Sequence, residues 1–237
     1  MELPTLKVER LYRQISNLLI DCIKKGQFLP GEPLPSERDL SKQMGVSRSS
    51  IREAFIALEM TGWIEIRVGN GVYVANPLPQ ERAQEAAPTD ATRQEEEFSL
   101  QALLKARQVF ETMLAELAAR NATDDQRAEL VEVLQDLEKQ RDNDENFLRE
   151  DKRFHLLISE MSGNEVLRDM MEYLWDKRNS TRFVRLEAHY ADPDLALHMN
   201  VDHARIGQAI LDRDPKRASA SMREHLQNVY ERFFKIE

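Results

Sequence analysis

The feature that most constrains the fold is the helical periodicity of the chain after residue 98. Apolar residues recur there every three or four positions, and the only glycines in this segment are Gly163 and Gly207. This period is typical of amphipathic helices that share a core. We therefore predict that residues 98–237 form an all-helical bundle of six or seven helices, so that the protein as a whole is mainly α.

The first 75 residues are punctuated differently, because six of the eight glycines precede residue 72. Helical spacing predicts a first helix from about Lys7 to Lys25. Ser36 and Ser47 are the expected N-caps of a second and a third helix. The expected buried stripe of the first helix consists of Leu11, Ile15, Leu18, Leu19 and Cys22.

A β-hairpin is predicted after these helices. Residues 63–67 alternate like a strand, residues 68–71 read Val-Gly-Asn-Gly, and residues 72–74 read Val-Tyr-Val. Two short strands joined by a glycine-containing turn are typical of a hairpin. Three helices and this wing predict a winged helix-turn-helix domain over residues 1–75. Residues 76–97 are predicted to be an exposed linker, since they contain three prolines and only one aliphatic side chain larger than alanine.

The charge balance limits where nucleic acid can bind. The chain has 33 basic and 42 acidic residues, a formal net charge of −9. Phosphate contacts require Lys and Arg, so an acidic chain is a poor general binder of nucleic acid. Residues 38–52 are an exception, with four basic side chains and one acidic one. We expect this patch to direct DNA to one face of the protein.

The cysteine count and the hydropathy pattern indicate a location. Cys22 is the only cysteine, which excludes an internal disulfide and a four-cysteine zinc site and favours a reducing compartment. The chain has no apolar run near the ~20 residues of a membrane span, and its N-terminus lacks a signal-peptide pattern. We predict a cytoplasmic protein without membrane contact.

The predicted third helix begins with a DNA-binding pattern. Residues 47–52 read Ser-Arg-Ser-Ser-Ile-Arg. At a helix N-terminus, hydroxyls and free amides bind phosphate oxygens, and arginines reach guanine edges or phosphates. The pattern favours a recognition helix; the alternative is a solvated basic helix in an ordinary helical domain.

Three motifs resemble the GntR family of bacterial transcription regulators, over nearly all of residues 9–75. They are residues 34–40 (LPSERDL), 45–54 (GVSRSSIREA) and 69–74 (GNGVYV). The family usually has a basic residue where this chain has Val68, so we expect Arg67 or Asn70 to replace it as a wing contact. The resemblance implies DNA contacts by Arg38, Ser47, Arg48, Ser49, Ser50 and Arg52 and by Gly69 in the minor groove.

A metal site is predicted in the second domain. Asp151 and His155 are four residues apart, so they project from one helical face that also carries apolar side chains. His203 and His225 lie near the apolar stripes of two later helices. Burying these groups is costly unless something pairs with them. The set favours a divalent ion with open coordination positions, although any one histidine alone would fit a core or surface role.

Residues 98–237 resemble the FadR C-terminal effector domain (FCD), a helical bundle of one GntR subfamily. Its metal-binding members carry an Asp-x-x-x-His pair followed by two histidines on later helices. Asp151, His155, His203 and His225 match that pattern in order. The resemblance implies a bound divalent metal ion, with zinc favoured over nickel or manganese.

Arg107 and Arg178 each fall on an apolar helical stripe. Either arginine could form an internal salt bridge, or the two could bind a ligand carboxylate beside the metal. Members of this subfamily bind small organic acids in that manner. Residues 103–108 and 175–179 resemble regulators of hexuronate catabolism in particular, which points to a sugar acid as effector.

These observations predict a ligand-responsive repressor that binds a pseudo-palindromic double-stranded DNA operator as a homodimer and is then associated with the nucleoid. A regulator that responds to lactate or another organic acid is an alternative. A metal-dependent enzyme acting on a small carboxylic acid is the rival class, but the chain has no His-Glu-x-x-His motif. A DNA-binding protein without an effector is disfavoured by the metal pattern and the inward arginines.

Overall fold

A computed structural model of the chain describes residues 10–79, 99–140, 144–178, 181–190 and 195–234. The contacts divide the chain into two compact units. The N-terminal unit comprises Met1–Leu100 and Thr181–His189, and the C-terminal unit comprises Gln101–Ser180 and Tyr190–Glu237.

The N-terminal unit contains the predicted three helices and hairpin. They are α1 (Leu11–Lys24), α2 (Glu37–Met44), α3 (Arg48–Met60), β1 (Ile64–Arg67) and β2 (Gly71–Val74). The strands pair antiparallel, with Ile64 opposite Val74 and Arg67 opposite Gly71. Ser36 and Ser47 cap α2 and α3 as predicted, because their side chains accept from the backbone amides three residues later.

The buried face of α1 differs from the prediction. Leu11 and Leu18 are 46% and 51% exposed, so their assignment to the buried stripe is wrong. The helix is rotated by about one residue, and its buried positions are Tyr12, Ile15, Ser16, Leu19 and Ile23. Because Ser16 is polar, the buried stripe does not appear as a continuous apolar stripe in the sequence. The hydroxyl of Ser16 donates to the carbonyl oxygen of Tyr12 at 2.8 Å, which makes its burial tolerable.

Seven helices follow the wing in the described residues, as the sequence predicts. They are α4 (Leu100–Asn121), α5 (Asp124–Lys139), α6 (Asp144–Glu160), α7 (Glu165–Arg178), α8 (Thr181–Tyr190), α9 (Leu195–Leu211) and α10 (Pro215–Phe234). One continuous core, which includes Phe154, Trp175 and Met222, joins all of them except α8. Gly207 lies inside α9, where a Cβ atom would meet Leu134 Cδ1 of α5 at 2.5 Å. A larger residue at position 207 would therefore require the side chain of Leu134 to shift.

Helix α8 contacts α3 within the N-terminal unit. His189 Nε2 lies 2.7 Å from Glu59 Oε2, and Arg185 Nη1 lies 3.7 Å from the same oxygen. The other oxygen of Glu59 accepts from the backbone amide of Ile66 at 3.2 Å. One carboxylate at the end of α3 thus holds both β1 and α8.

The predicted boundaries at residues 75 and 98 stay predictions, because most of the predicted linker, residues 80–97, lies outside the described residues. Every helix in the described parts of the chain is too short or too polar to cross a bilayer.

Candidate metal centre and nucleic-acid interface

The start of α3 concentrates hydroxyl groups. Ser47 Oγ lies 2.9 Å from Ser49 Oγ and 2.8 Å from Ser50 Oγ, and it accepts from the amide of Ser50 at 3.1 Å. Ser47 is exposed, Arg48 and Ser50 are partly exposed, and Ser49 is buried. The positive end of the helix dipole and these donors favour an anion such as a phosphate.

The two other arginines of the helix-turn-helix that were predicted to bind DNA have different environments. The side chain of Arg38 is 69% exposed, and Asp39 is 3.9 Å away. Arg52 is only 2% exposed, and its guanidinium forms two hydrogen bonds with Glu37, at 3.1 and 2.7 Å. Arg52 therefore connects α3 to α2, and a DNA contact by Arg52 requires this pair to open.

The predicted wing contacts are all exposed at the tip of the hairpin. Arg67, Gly69 and Asn70 surround the turn, and Gly69 has a φ of 71°, which favours glycine. Arg67 pairs with Glu65 at 2.9 Å, and its guanidinium carbon lies 4.2 Å from the ring centroid of Tyr73. These contacts hold a cation beside the turn, next to exposed Val68.

Four predicted metal ligands converge inside the C-terminal unit. Asp151 and His155 come from α6, His203 from α9 and His225 from α10. One nitrogen from each of the three histidines lies within 4.8 Å of the others. Asp151 Oδ1 is 3.4 Å from His155 Nε2 and 3.3 Å from His203 Nε2. All four side chains are at most 1% exposed.

Carboxylates face the outer nitrogens of two of these imidazoles. Glu111 Oε2, on α4, contacts His155 Nδ1. Asp202 Oδ2 lies 3.5 Å from His225 Nδ1 and accepts a hydrogen bond from the side-chain Nδ2 of Asn228 at 3.2 Å. In each case the other nitrogen, Nε2, stays available to a metal ion.

The carboxylates of the cluster are held in the charged form. Burial alone would raise the pKa of Glu111, but Arg107 and His155 overcome this effect and lower it to about 2. Burial would also raise the pKa of Asp151, yet the adjacent imidazoles of His155 and His203 hold it well below its usual range. Two buried negative charges therefore lie within contact of one imidazole.

The imidazoles are not equivalent. Burial lowers the pKa of His225 to about 4, against the opposing effect of Asp202, and burial also lowers the pKa of His203. Burial acts in the same direction on His155, but Glu111 outweighs it and raises that pKa. Neutral imidazole is the form that binds a metal. At His155, a divalent ion would take the place of the proton that the two carboxylates favour.

The donor set fits a divalent metal ion. Asp151 Oδ1 and both nitrogens of His203 are buried without a hydrogen bond. Such atoms are costly to bury unless a further group satisfies them. Three imidazole nitrogens and one carboxylate oxygen are suitable ligands for zinc, nickel or manganese.

The two predicted effector residues lie beside this cluster. The guanidinium carbons of Arg107 and Arg178 lie 4.6 and 4.8 Å from the ring of buried Trp175, and Arg178 Nη2 lies 3.8 Å from Asp151 Oδ2. Arg107 Nε donates to Glu111 Oε1 at 2.6 Å. The internal salt bridge that the sequence left open for Arg107 is therefore present.

Three residues of this site were missed in the sequence: Glu111, Trp175 and Asp202. Glu111 carried a usable signal, since it lies four residues after Arg107 and therefore on the same helical face. Asp202 directly precedes His203 but faces His225, and that pairing between two helices has no local signature.

Comparison with known proteins agrees with both units. Residues 11–74 match the model of the bacterial regulatory proteins of the gntR family, and residues 102–228 match the FCD domain. The chain is 32% identical over 230 residues to the Uxu operon regulator of Haemophilus influenzae, with 97% of this chain and 84% of that protein covered.

A second relative is the Uxu operon transcriptional regulator of Escherichia coli, 32% identical over 96% of this chain and 88% of that protein. The solved structure of E. coli McbR/YncC superposes with a TM-score of 0.52 at 21% identity, over 96% of this chain and 99% of that one, and supports the fold. These relatives are regulators and not enzymes, so the rival enzyme class is excluded. The chain belongs to the GntR family of DNA-binding bacterial transcription regulators, in the group that carries an FCD domain.

Proposed function

We propose that the protein is a metal-dependent repressor that senses a sugar acid, with a hexuronate as the first candidate. The observation that carries this proposal is the buried cluster of His155, His203, His225 and Asp151 with two arginines beside it. A cation next to two guanidiniums is a site for a small carboxylate. Two relatives that match nearly the whole of this chain are named as regulators of the Uxu operon.

Asp151, His155, His203 and His225 would hold the metal, with zinc favoured over nickel or manganese. A bound ion supplies a Lewis acid that attracts carboxylate and hydroxyl oxygens. Arg107 and Arg178 would orient the effector carboxylate from the side of Trp175, which both guanidiniums contact. Since Glu111 already pairs with Arg107, the effector must share that guanidinium with Glu111 or displace it.

The N-terminal unit would read DNA as one half of a cytoplasmic homodimer. Each recognition helix α3 would enter the major groove of one half-site of a pseudo-palindromic operator, and each wing would lie against the adjacent minor groove. The positions of Arg38, Arg48 and Arg67 support this orientation because these exposed or partly exposed arginines lie on α2, α3 and the wing.

Effector binding would favour an arrangement of the dimer with lower operator affinity. For the switch to change operator occupancy strongly, the two arrangements must differ in effector affinity by several kcal/mol.

The proposal is tested by a thermal-shift screen of the zinc-loaded protein with hexuronates, aldonates, lactate and other small acids. A hexuronate should raise the melting temperature and release the protein from operator DNA. Stabilisation and release by lactate but by no sugar acid would replace this proposal with the lactate-responsive alternative. No response to any acid in either assay would contradict a carboxylate effector.

A further inference from the structure

Glu111 lies at the junction between the arginine side of the pocket and the metal ligands. One of its oxygens accepts from Arg107 Nε at 2.6 Å, and the other contacts His155 Nδ1. Its side chain is 2% exposed, and those of Arg107 and His155 are 3% and 0% exposed. A buried carboxylate in this position costs free energy unless both of its oxygens are used.

We propose that Glu111 is a positioning residue for metal binding: it fixes the tautomer and the ring orientation of His155, while Arg107 holds Glu111 in place. The inference rests on the metal site proposed above. A proton on Nδ1 of His155, the nitrogen that Glu111 contacts, leaves the lone pair on Nε2, which lies 3.4 Å from Asp151 Oδ1. A carboxylate partner also makes the imidazole a stronger ligand.

A second ion pair on the same helix provides a comparison for the pair formed by Arg107 and Glu111. Glu116 and Arg120 have the same spacing of four residues on α4 and lie 2.7 Å apart, but their side chains are 43% and 56% exposed. Such exposed pairs contribute little to stability. The pair formed by Arg107 and Glu111 differs in its burial and in its contact with a metal ligand.

The three histidines are therefore positioned to different degrees. Glu111 faces His155, and Asp202, which is also bound by Asn228, faces His225. Among the described contacts, His203 meets a carboxylate through Nε2, which lies 3.3 Å from Asp151 Oδ1, and its ring packs against that of Phe154 at 4.5 Å. We therefore expect the metal affinity to depend on Glu111 through His155 and on Asp202 through His225.

The test measures the Zn²⁺ affinity of the full-length protein by competition with a chromogenic chelator. The Glu111→Gln variant keeps the size of the side chain and removes its charge. We expect its Zn²⁺ affinity to fall by about 10–100-fold, the usual effect of removing a carboxylate that orients a metal-binding histidine. The d–d absorption bands of bound Co²⁺ should shift in the same variant. Glu116→Gln, on the exposed pair of the same helix, should change neither quantity.

Glu111→Gln leaves Arg107 buried without its carboxylate partner and could therefore disturb the fold. A second variant controls for this effect. Arg107→Met combined with Glu111→Gln removes both charges. Proteins often keep their stability when both members of a buried ion pair are replaced by neutral residues. The circular dichroism spectrum of this double variant should match that of the wild type, and its Zn²⁺ affinity should still fall by about 10–100-fold.

A double-mutant cycle separates positioning of His155 from a general effect on the fold. In a His155→Ala background, Glu111→Gln should cause no further loss of Zn²⁺ affinity, because the residue through which Glu111 acts is gone. Losses that simply add would overturn the inference, as would equal Zn²⁺ affinity in the wild type and both Glu111 variants. Absence of Zn²⁺ binding by the wild type would overturn the metal site itself and this inference with it.

Discussion

Each unit of the protein contains a buried arginine that pairs with a glutamate, and the two pairs have different roles. Arg52 and Glu37 belong to two helices, α3 and α2, so their hydrogen bonds fix the recognition helix against its neighbour. Arg107 and Glu111 belong to one helix, α4, and their pairing joins no helices by itself. Contacts with His155 of α6 and Trp175 of α7 connect this pair to other helices.

The comparison shows that the position of the partner, more than the type of ion pair, indicates the role of a buried arginine. A partner on another helix indicates packing, whereas a partner on the same helix that also contacts a metal ligand indicates a site. If this distinction is correct, loss of the metal should lower the stability of the C-terminal unit. Loss of the pair between Arg52 and Glu37 should lower the stability of the N-terminal unit.

Metal removal should have the largest effect. Purified protein should contain about one divalent ion per chain, and His203→Ala or His225→Ala should bring this close to zero, because each removes a buried ligand. At about 1,000 times the dissociation constant, a metal that binds only the folded state stabilises it by about 4 kcal/mol. Elemental analysis and chelator-dependent melting test this. Full metal content in both variants would contradict the ligand set, and melting of the N-terminal unit by chelator would contradict the distinction between the two units.

Removal of the carboxylate of the first pair should destabilise the N-terminal unit. Glu37→Ala leaves Arg52 buried at 2% exposure without its salt-bridge partner. Breaking a buried pair from one side typically costs about 3–5 kcal/mol. Urea unfolding followed by the fluorescence of Trp63 measures the loss in a Trp175→Phe background, which removes the other tryptophan. A loss in unfolding free energy below about 1 kcal/mol, the size expected of an exposed pair, would contradict the packing role of Arg52. Metal content should stay unchanged.

Base reading should depend on the arginine of α3 that is partly exposed. We expect Arg48→Ala to lower specific operator affinity by about 1–3 kcal/mol, the value of one good bidentate base contact. Affinities for operator and for unrelated DNA are compared at one fixed salt concentration, with metal content as the control. An equal loss on both DNAs would show that Arg48 contacts phosphate only. A loss of metal would contradict the independence of the two sites.

Local patterns predicted the N-terminal unit well, because its signals lie within a few residues of each other. Ser36 and Ser47 act three residues along the chain, and the glycines at 69 and 71 define the turn of the wing. The face of α1 was assigned incorrectly because the buried serine, Ser16, interrupts the apolar stripe. Its burial becomes acceptable through a hydrogen bond that hydropathy does not show.

The cluster proposed to bind metal was predicted only in part, for the same physical reason. Its four proposed ligands could be found from the spacing of Asp151 and His155 and from two further histidines on apolar stripes. The groups that orient the imidazoles come from other helices, as Glu111 of α4 does for His155 of α6. The contact between α8 and α3 likewise joins His189 to Glu59, which lies 130 residues away in the chain. Such pairings depend on tertiary packing, which periodicity does not encode.

The smallest expected effect concerns effector binding at Arg107. Arg107→Lys keeps a positive charge next to Glu111, but loses the planar guanidinium that lies 4.6 Å from the Trp175 ring. Effector affinity should therefore fall by about tenfold or more, which corresponds to about 1.4 kcal/mol. Metal content and operator affinity without effector should persist, so the variant should hold its operator and respond poorly to its inducer. Calorimetry with the best acid from the screen measures the affinity, and Arg120→Lys, in the exposed pair of the same helix, is the matched control. If Arg107→Lys binds the acid as tightly as the wild type, the guanidinium serves only its pair with Glu111, and the effector carboxylate must bind elsewhere.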